Sequence, residues 1–266
     1  MPRTTGSFPR VIRSEEAYLR LQVDHLDALA TLGDGEVQAR LLREVIRDYV
    51  SLEARVDSLL KNTLPASVAE EIKYRGSFAP RDFDCSILFT DLVHFTQLAE
   101  ILPPDALVQV LDRLFCGFDA LMELQGGTKI KTIGDAYMAV FGAPQQRENH
   151  AAAAVASGLE MVNQVAELGR ETGHPLALRV GIHSGKATAG VVGRLRMQFD
   201  VFGDDVNIAA RLESAGEPGQ VNVSEETRRQ ASGAFTYQER GLINLKNKDP
   251  MAAYFVMAPR ESGKES

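Results

Sequence analysis

The spacing of apolar positions divides the chain into a helical N-terminal region and a longer mixed region. Apolar residues recur at helical intervals from Tyr18 to Leu32 and stop at Gly33-Asp34-Gly35, which predicts a first helix. A second apolar series then alternates spacings of three and four, as in a heptad repeat: Leu42, Val45, Tyr49, Leu52, Val56 and Leu59. This seam fits either an amphipathic helix on its own domain or a short parallel coiled coil between two copies of the chain.

Beyond the second helix, the pattern changes to alternating strands and helices. Strands are predicted at residues 86–90, 129–141 (two strands joined at Gly134-Asp135), 176–183, 197–202, 221–223, 235–240 and 254–257. Helices are predicted at residues 104–124, 149–170, 204–214 and 225–231, with Asp204 as the N-cap of the third. This order predicts an α+β sandwich in which helices pack over a mixed sheet.

The same pattern predicts the domain boundaries. Residues 1–65 form an N-terminal helical region, with the coiled coil at about 42–60. Residues 66–83 form a linker, which is helical from 66 to 76. The main domain occupies residues 84–258, and residues 259–266 form a disordered tail.

Composition and charge limit the possible functions. The formal net charge of -7 argues against a broad nucleic-acid or anionic-membrane surface, but it is compatible with a local cationic pocket. No apolar run approaches the length of about 20 residues that spans a bilayer, and the charged N-terminal segment lacks a signal core. Cys85 and Cys116 lie in apolar stretches and are interpreted as reduced core thiols. We therefore expect a cytoplasmic protein.

Two aspartates at strand ends are candidates for metal binding. Asp91 ends one predicted strand, and Asp135 lies in the predicted hairpin turn with Lys129 and Lys131 nearby. Each aspartate could simply bind a turn amide. Together with the lysines, however, they match what a polyphosphate and a divalent metal require, since two hard cations about 3.5–4 Å apart could share both carboxylates.

Polar residues on one later helix suggest a phosphate or sugar site. Asn207 and Arg211 are four residues apart and project from one helix face. Arg211 could pair with Glu213 or Asp204 on the surface, or its planar guanidinium could bind phosphate oxygens. Spacing alone favours solvated charge for two lysines between the last strands, Lys246 and Lys248.

Five separated segments resemble the catalytic domain of class III nucleotidyl cyclases, of the adenylate cyclase type, from about residue 84 to residue 257. The segments are residues 89–96, 129–144, 181–185, 189–193 and 199–216. The resemblance implies a ferredoxin-like βαββαβ-type sandwich preceded by the helical extension. It also implies an enzyme that converts ATP to 3′,5′-cyclic AMP and pyrophosphate by in-line attack of the ribose 3′-hydroxyl.

The resemblance assigns roles to individual residues. Asp91 and Asp135, assisted by the Leu92 carbonyl, would bind two Mg²⁺ or Mn²⁺ ions. Asn207 would position the ribose, Arg211 would stabilise the transition state and Lys246 would meet the outer phosphates. The β- and γ-phosphates would be held by the backbone amides of four consecutive residues, Val93, His94, Phe95 and Thr96. His94 replaces a usual glycine; it is either a surface histidine or a pH-sensitive element of phosphate binding.

The positions that match the base-reading pair of the family are Lys131 and Asp200. Lysine donates and aspartate accepts, which complements adenine N1 and N6, whereas guanine presents the opposite pattern. Mispaired buried polar groups cost roughly 1–3 kcal/mol each, so the pair favours ATP over GTP. A guanylate cyclase and a nucleotide-binding dimerisation module without turnover are the alternatives.

The resemblance further implies a head-to-tail homodimer. In such pairs the metal ligands of one chain face the base and ribose residues of the other, and this chain contains both half-sets, which gives two equivalent composite sites. The N-terminal helices are expected to transmit a signal from an upstream regulator, whose identity cannot be read from the sequence.

Overall fold

The computed structural model describes residues 35–243 and 249–260. The chain forms two compact units, Met1–Asn62 and Thr63–Ser266. Four predictions concern residues outside the described part: the first helix, Lys246, Lys248 and most of the C-terminal tail.

The described part of the first unit is one long helix, α1 (Gly35–Lys61). Its predicted seam is continuous, but several seam side chains are open to solvent. Leu42 is 46%, Tyr49 is 52% and Leu59 is 67% exposed. Neither this helix nor any other in the described residues is long and apolar enough to cross a membrane.

The second unit contains the sheet and the remaining helices. In chain order its elements are α2 (Ala66–Arg75), β1 (Arg81–Leu92), α3 (Phe95–Ile101), α4 (Pro104–Gln125), β2 (Thr128–Ile133), β3 (Ala136–Phe141), α5 (His150–Thr172), β4 (Leu178–Val192), β5 (Gln198–Phe202), α6 (Asp204–Ser214), β6 (Val221–Ser224), α7 (Glu225–Gln230), β7 (Phe235–Ile243) and β8 (Met251–Pro259). The strand order is β2-β3-β1-β4-β6-β8-β7, and β5 pairs with β4. The β4–β6 pair is parallel and the others are antiparallel, so the sheet is mixed as expected.

The core lies between the central strands and helices α4 and α5. Strand β1 is buried without interruption from Cys85 to Leu88, as expected for a strand that is covered on both faces. The alanine-rich face of α5 allows close packing: a Cβ at Gly158 would lie 3.2 Å from side-chain atoms of both Val180 and Ile182. On β4, a Cβ at Gly181 would lie 2.0 Å from the Glu213 nitrogen, so α6 packs directly on the strand backbone. This α+β architecture confirms the predicted fold class.

Three details differ from the sequence predictions. Strand β1 begins at Arg81 rather than at residue 86, and β4 continues to Val192. Asp204 is not the N-cap of α6, because Gly203 occupies that position with φ 144° and ψ 173°. Cys85 is buried as predicted, but Cys116 is exposed on α4, so its assignment to the core was wrong.

Candidate active site

The two candidate metal ligands lie at the same end of neighbouring strands. Strands β1 and β3 pair in a register that places Thr90 opposite Tyr137. Asp91 is the next residue after Thr90, and Asp135 precedes Tyr137 by two residues in the β2–β3 turn. Gly134 gives that turn its positive φ of 65°, which glycine adopts without steric cost. The local fold therefore brings the two carboxylates together.

The carboxylates share one electrostatic environment. Burial raises the pKa of Asp135, and the nearby Asp91 carboxylate raises it further, while the backbone N–H groups of Asp135 and Leu92 oppose the shift. Like charges so close destabilise each other, and a cation placed between them would remove that cost.

Arg179 is a functional candidate that sequence reasoning missed. It faces Asp91 in the β1–β4 register. Its Nη2 lies 2.5 Å from Asp91 Oδ2, and its Nε lies 3.1 Å from Glu213 Oε1, an ion pair without hydrogen-bond alignment. Burial raises the pKa of Glu213, and Arg179 opposes that shift. The sequence did contain a signal for Arg179, because an arginine within an otherwise apolar strand is unusual.

Asp91 and Asp135 fit a divalent cation whose remaining ligands come from the substrate. Within residues 35–243 and 249–260, no group of three or more His, Cys, Asp or Glu side chains could hold a metal. Asp91 and Asp135 supply two hard carboxylates, which matches Mg²⁺ bound by one or two carboxylates together with substrate phosphates.

The segment after β1 places backbone amides beside these carboxylates. Helix α3 begins at Phe95, and the first N–H groups of a helix have no partner within it. His94 turns the chain into α3 with φ 61° and ψ 24°. The Val93 N–H differs from the others, because it donates to the Ala177 carbonyl at 2.9 Å. In this conformation, the predicted phosphate donors are therefore the amides of His94, Phe95 and Thr96.

The two predicted base-reading side chains meet. Lys131 on β2 donates to Asp200 Oδ2 on β5 at 2.5 Å. Asp200 is 7% exposed, and its Oδ1 accepts the Val201 N–H at 2.9 Å. Both residues of the pair thus lie together within one chain.

Lys129, by contrast, is paired with a residue of α4. Its Nζ donates to Asp119 on α4 at 2.7 Å, and the same carboxylate accepts the Tyr137 hydroxyl at 2.7 Å. The structure therefore pairs Lys129 with Asp119, and a role for Lys129 near a polyphosphate stays a prediction.

Helix α6 carries the two remaining site residues. Asn207 is exposed, with Nδ2 at 3.4 Å from the Gly203 carbonyl. Arg211 is half-buried, and among the described residues its buried Nη1 has no hydrogen-bond partner. Glu213, suggested as its surface partner, pairs with Arg179 instead. A buried guanidinium N–H without an acceptor is rare and suits an anionic ligand.

Comparisons with known proteins agree with this geometry. The family described as "Adenylate and Guanylate cyclase catalytic domain" matches residues 79–258. An adenylate cyclase of Mycobacterium tuberculosis is 41% identical over 221 residues, which are 81% of this chain and 50% of that protein. The chain thus spans about half the length of the curated relatives it matches.

Solved structures show the same fold. The adenylyl cyclase CyaB from P. aeruginosa gives a TM-score of 0.67 at 31% identity and covers 69% of this chain and 98% of its own. The guanylate cyclase domain of RhGC from Catenaria anguillulae, in complex with GTP, gives 0.65 at 32% identity and covers 68% and 100%. The chain belongs to the family of adenylate and guanylate cyclase catalytic domains.

Proposed function

We propose that this protein is an adenylate cyclase that converts ATP to 3′,5′-cyclic AMP and pyrophosphate. The observation that carries the choice of ATP is the contact between Lys131 and Asp200. Together these side chains offer a donor to adenine N1 and an acceptor to adenine N6, and they mismatch guanine at both positions. The mycobacterial relatives named adenylate cyclase support this choice. A cytoplasmic location fits an ATP-consuming enzyme.

Asp91 and Asp135, with the Leu92 carbonyl, would hold two Mg²⁺ or Mn²⁺ ions. When bound, two such ions supply Lewis acidity at the 3′-hydroxyl and α-phosphate and offset the charge of the triphosphate. Arg179 neutralises Asp91 in the free protein, and a bound triphosphate would offer its guanidinium a second acceptor. The amides of His94, Phe95 and Thr96 would hold the outer phosphates, which Lys246 would also meet.

Asn207 and Arg211 supply the groups that act on the ribose and the reacting phosphorus. Asn207 would orient the ribose so that its 3′-hydroxyl lies in line with the scissile bond. The buried Nη1 of Arg211 would donate to the charge that develops on the α-phosphate in the transition state, and there it would find the acceptor that it otherwise lacks.

The complete site is proposed to form between two chains of a head-to-tail homodimer. Each chain would contribute the metal-binding half to one site and the base, ribose and Arg211 half to the other. Two equivalent sites follow from the twofold symmetry of such a dimer.

Turnover of both nucleotides by the purified protein tests this function. We expect cyclic AMP from ATP with Mg²⁺ or Mn²⁺, slower turnover of GTP, and loss of activity in Asp91→Ala and Asp135→Ala. The exposed Glu217 supplies a control, Glu217→Ala, which should retain full activity. Faster turnover of GTP would reverse the base assignment, and nucleotide binding without product would favour a non-catalytic dimerisation module.

A further inference from the structure

The first turn of α6 is fastened to β4 by one carboxylate that has no role in the proposed chemistry. Asp205 Oδ2 accepts the Lys186 N–H at 2.7 Å, and Oδ1 lies 3.2 Å from His183 Nε2. Gly185 leaves the room for this arrangement, because a Cβ there would lie 2.2 Å from Asp205 Oδ2. Any larger residue at position 185 would therefore displace the carboxylate.

His183 is itself held in one orientation. The residue is 6% exposed, and its Nδ1 lies 2.8 Å from the Ser224 hydroxyl. Burial lowers the pKa of His183, so the ring is neutral near pH 7. A neutral ring that donates from Nε2 to Asp205 accepts at Nδ1 from Ser224, and the Ser224 oxygen also caps α7 by accepting the Thr227 N–H at 3.2 Å.

The far end of α6 is fixed by separate contacts. Asn222 on β6 is fully buried, and its Nδ2 donates to the Leu212 carbonyl at 2.7 Å. Gly181 allows the backbone of Glu213 to lie against β4. Because the C-terminal end of α6 is fixed there, the contacts of Asp205 determine the position of its first turn relative to β4.

We propose that Asp205, with His183 and the Lys186 amide, is a positioning residue that sets the placement of Asn207 and Arg211 against the nucleotide. This inference rests on the proposed cyclase function. Asp205 precedes Asn207 by two residues and Arg211 by six on one rigid helix. Loss of its contacts frees the first turn from β4, and a displacement of about 1 Å at reacting groups can cost about 10²-fold in rate.

Steady-state kinetics test the positioning role. In Asp205→Ala, kcat for ATP should fall roughly 10- to 100-fold while KM changes less than about threefold, because the affected groups act mainly in the transition state. Asp205→Asn keeps an acceptor for the Lys186 N–H and should recover much of the loss, as should His183→Gln relative to His183→Ala. Glu217→Ala serves as the matched control. An unchanged kcat, or a rise in KM alone, would overturn the proposal.

Co-expressed mixtures of variants separate positioning from general damage. Chains carrying Asp205→Ala should regain activity with Asp91→Ala chains, because one site then combines intact metal ligands with an intact α6. They should not regain it with Arg211→Ala chains, since both copies of α6 are then impaired. Activity regained with both partners, or with neither, would count against the proposal.

A reference mixture of Asp91→Ala with Arg211→Ala chains separates a failure of the composite site from a failure of the role proposed for Asp205. If this mixture stays inactive, the composite site of the proposed function is wrong, and the kinetics alone decide the role of Asp205. If Asp205→Ala chains fail to pair with either partner, His183→Ala chains replace them, and the same pattern of recovery is required.

Discussion

His94 shows how one residue can turn the chain from a strand into a helix at a conformational cost. Among the described residues it is the non-glycine residue with positive φ, and it joins β1 to α3 in the left-handed region. That region costs most L-residues about 1–2 kcal/mol. A glycine at this position would avoid that cost, and His94 itself is exposed.

Replacing this residue by glycine tests the strain. His94→Gly should raise the free energy of unfolding by about 0.5–1 kcal/mol, because relief of the left-handed cost exceeds the added entropy of the unfolded chain. Urea unfolding measures the change. His94→Ala keeps the strain and should give no gain, and a loss of stability in the glycine variant would contradict the argument.

At the residue scale, the sequence predicted the positions of the candidate residues where the motif was local. Asp91, Asp135, Asn207 and Arg211 lie at strand ends, in a turn and on one helix face, as expected. Arg179 was missed because it pairs with Asp91, which lies 88 residues away in the chain. Spacing carries no information about such contacts.

At the scale of elements, a buried chain of hydroxyl and imidazole groups joins helices to the central strands. Ser86 on β1 bonds to His150 at 2.8 Å and to Ser184 at 2.6 Å. Ser184 continues to Thr227 on α7 at 3.0 Å, and Ser224 leads from there to His183. Because each buried polar group finds a partner along the chain, these contacts fix how α5 and α7 sit on the sheet.

This network makes stability depend on pH. Burial is the main cause that lowers the pKa of both His150 and His183 from 6.5, so the unfolded chain binds more protons than the folded one below that pH. The free energy of unfolding should fall as pH drops from 7.5 to 5.5, by at most about 1.4 kcal/mol per histidine for each unit below pH 6.5.

Urea unfolding across this range measures the slope, and the double variant His150→Gln with His183→Gln should flatten it. Burial raises the pKa of Asp135 and Glu213, so these acids act in the opposite direction in both proteins and cancel in the comparison. An equal slope in both proteins would exclude the two histidines as its source.

Element types followed from apolar spacing, but some of their limits did not. The first residues of β1 are mostly exposed and carry little apolar signal, yet Arg81 to Asp84 pair with β4 from Ala189 to Lys186. Pairing with a neighbouring strand thus extends β1 further than its own sequence indicates. In the same way, the approach of α6 to β4 depends on Gly181 and Gly185, whose role appears once both elements are in place.

At the scale of the whole molecule, the chain combines a helical unit with a catalytic unit. The seam of α1 leaves Leu42, Tyr49 and Leu59 about half or more exposed, as expected for a surface that pairs with a second chain. If the composite site is correct, α1 favours the dimer on which activity depends.

Removal of the helical unit tests this contribution. Residues 63–266 alone should fold, since they form a separate compact unit, but their dimer dissociation constant should rise on the order of tenfold, about 1.4 kcal/mol. Sedimentation equilibrium and the loss of specific activity on dilution measure the effect. Leu42→Glu with Leu59→Glu in the full chain should weaken the dimer similarly, whereas unchanged dimer affinity in both would show that the seam serves packing alone.

In the free protein, the bond between Lys131 and Asp200 satisfies the two side chains that are proposed to bind the base. The Lys131 ammonium and the Asp200 carboxylate, which would bind a purine, bind each other in the free protein. An arriving base must therefore compete with this intramolecular bond. The same bond returns as soon as the base moves away. If this pair reads the base as proposed, recognition is an exchange of bonds, which would lower the affinity for every nucleotide and help the cyclised product to leave.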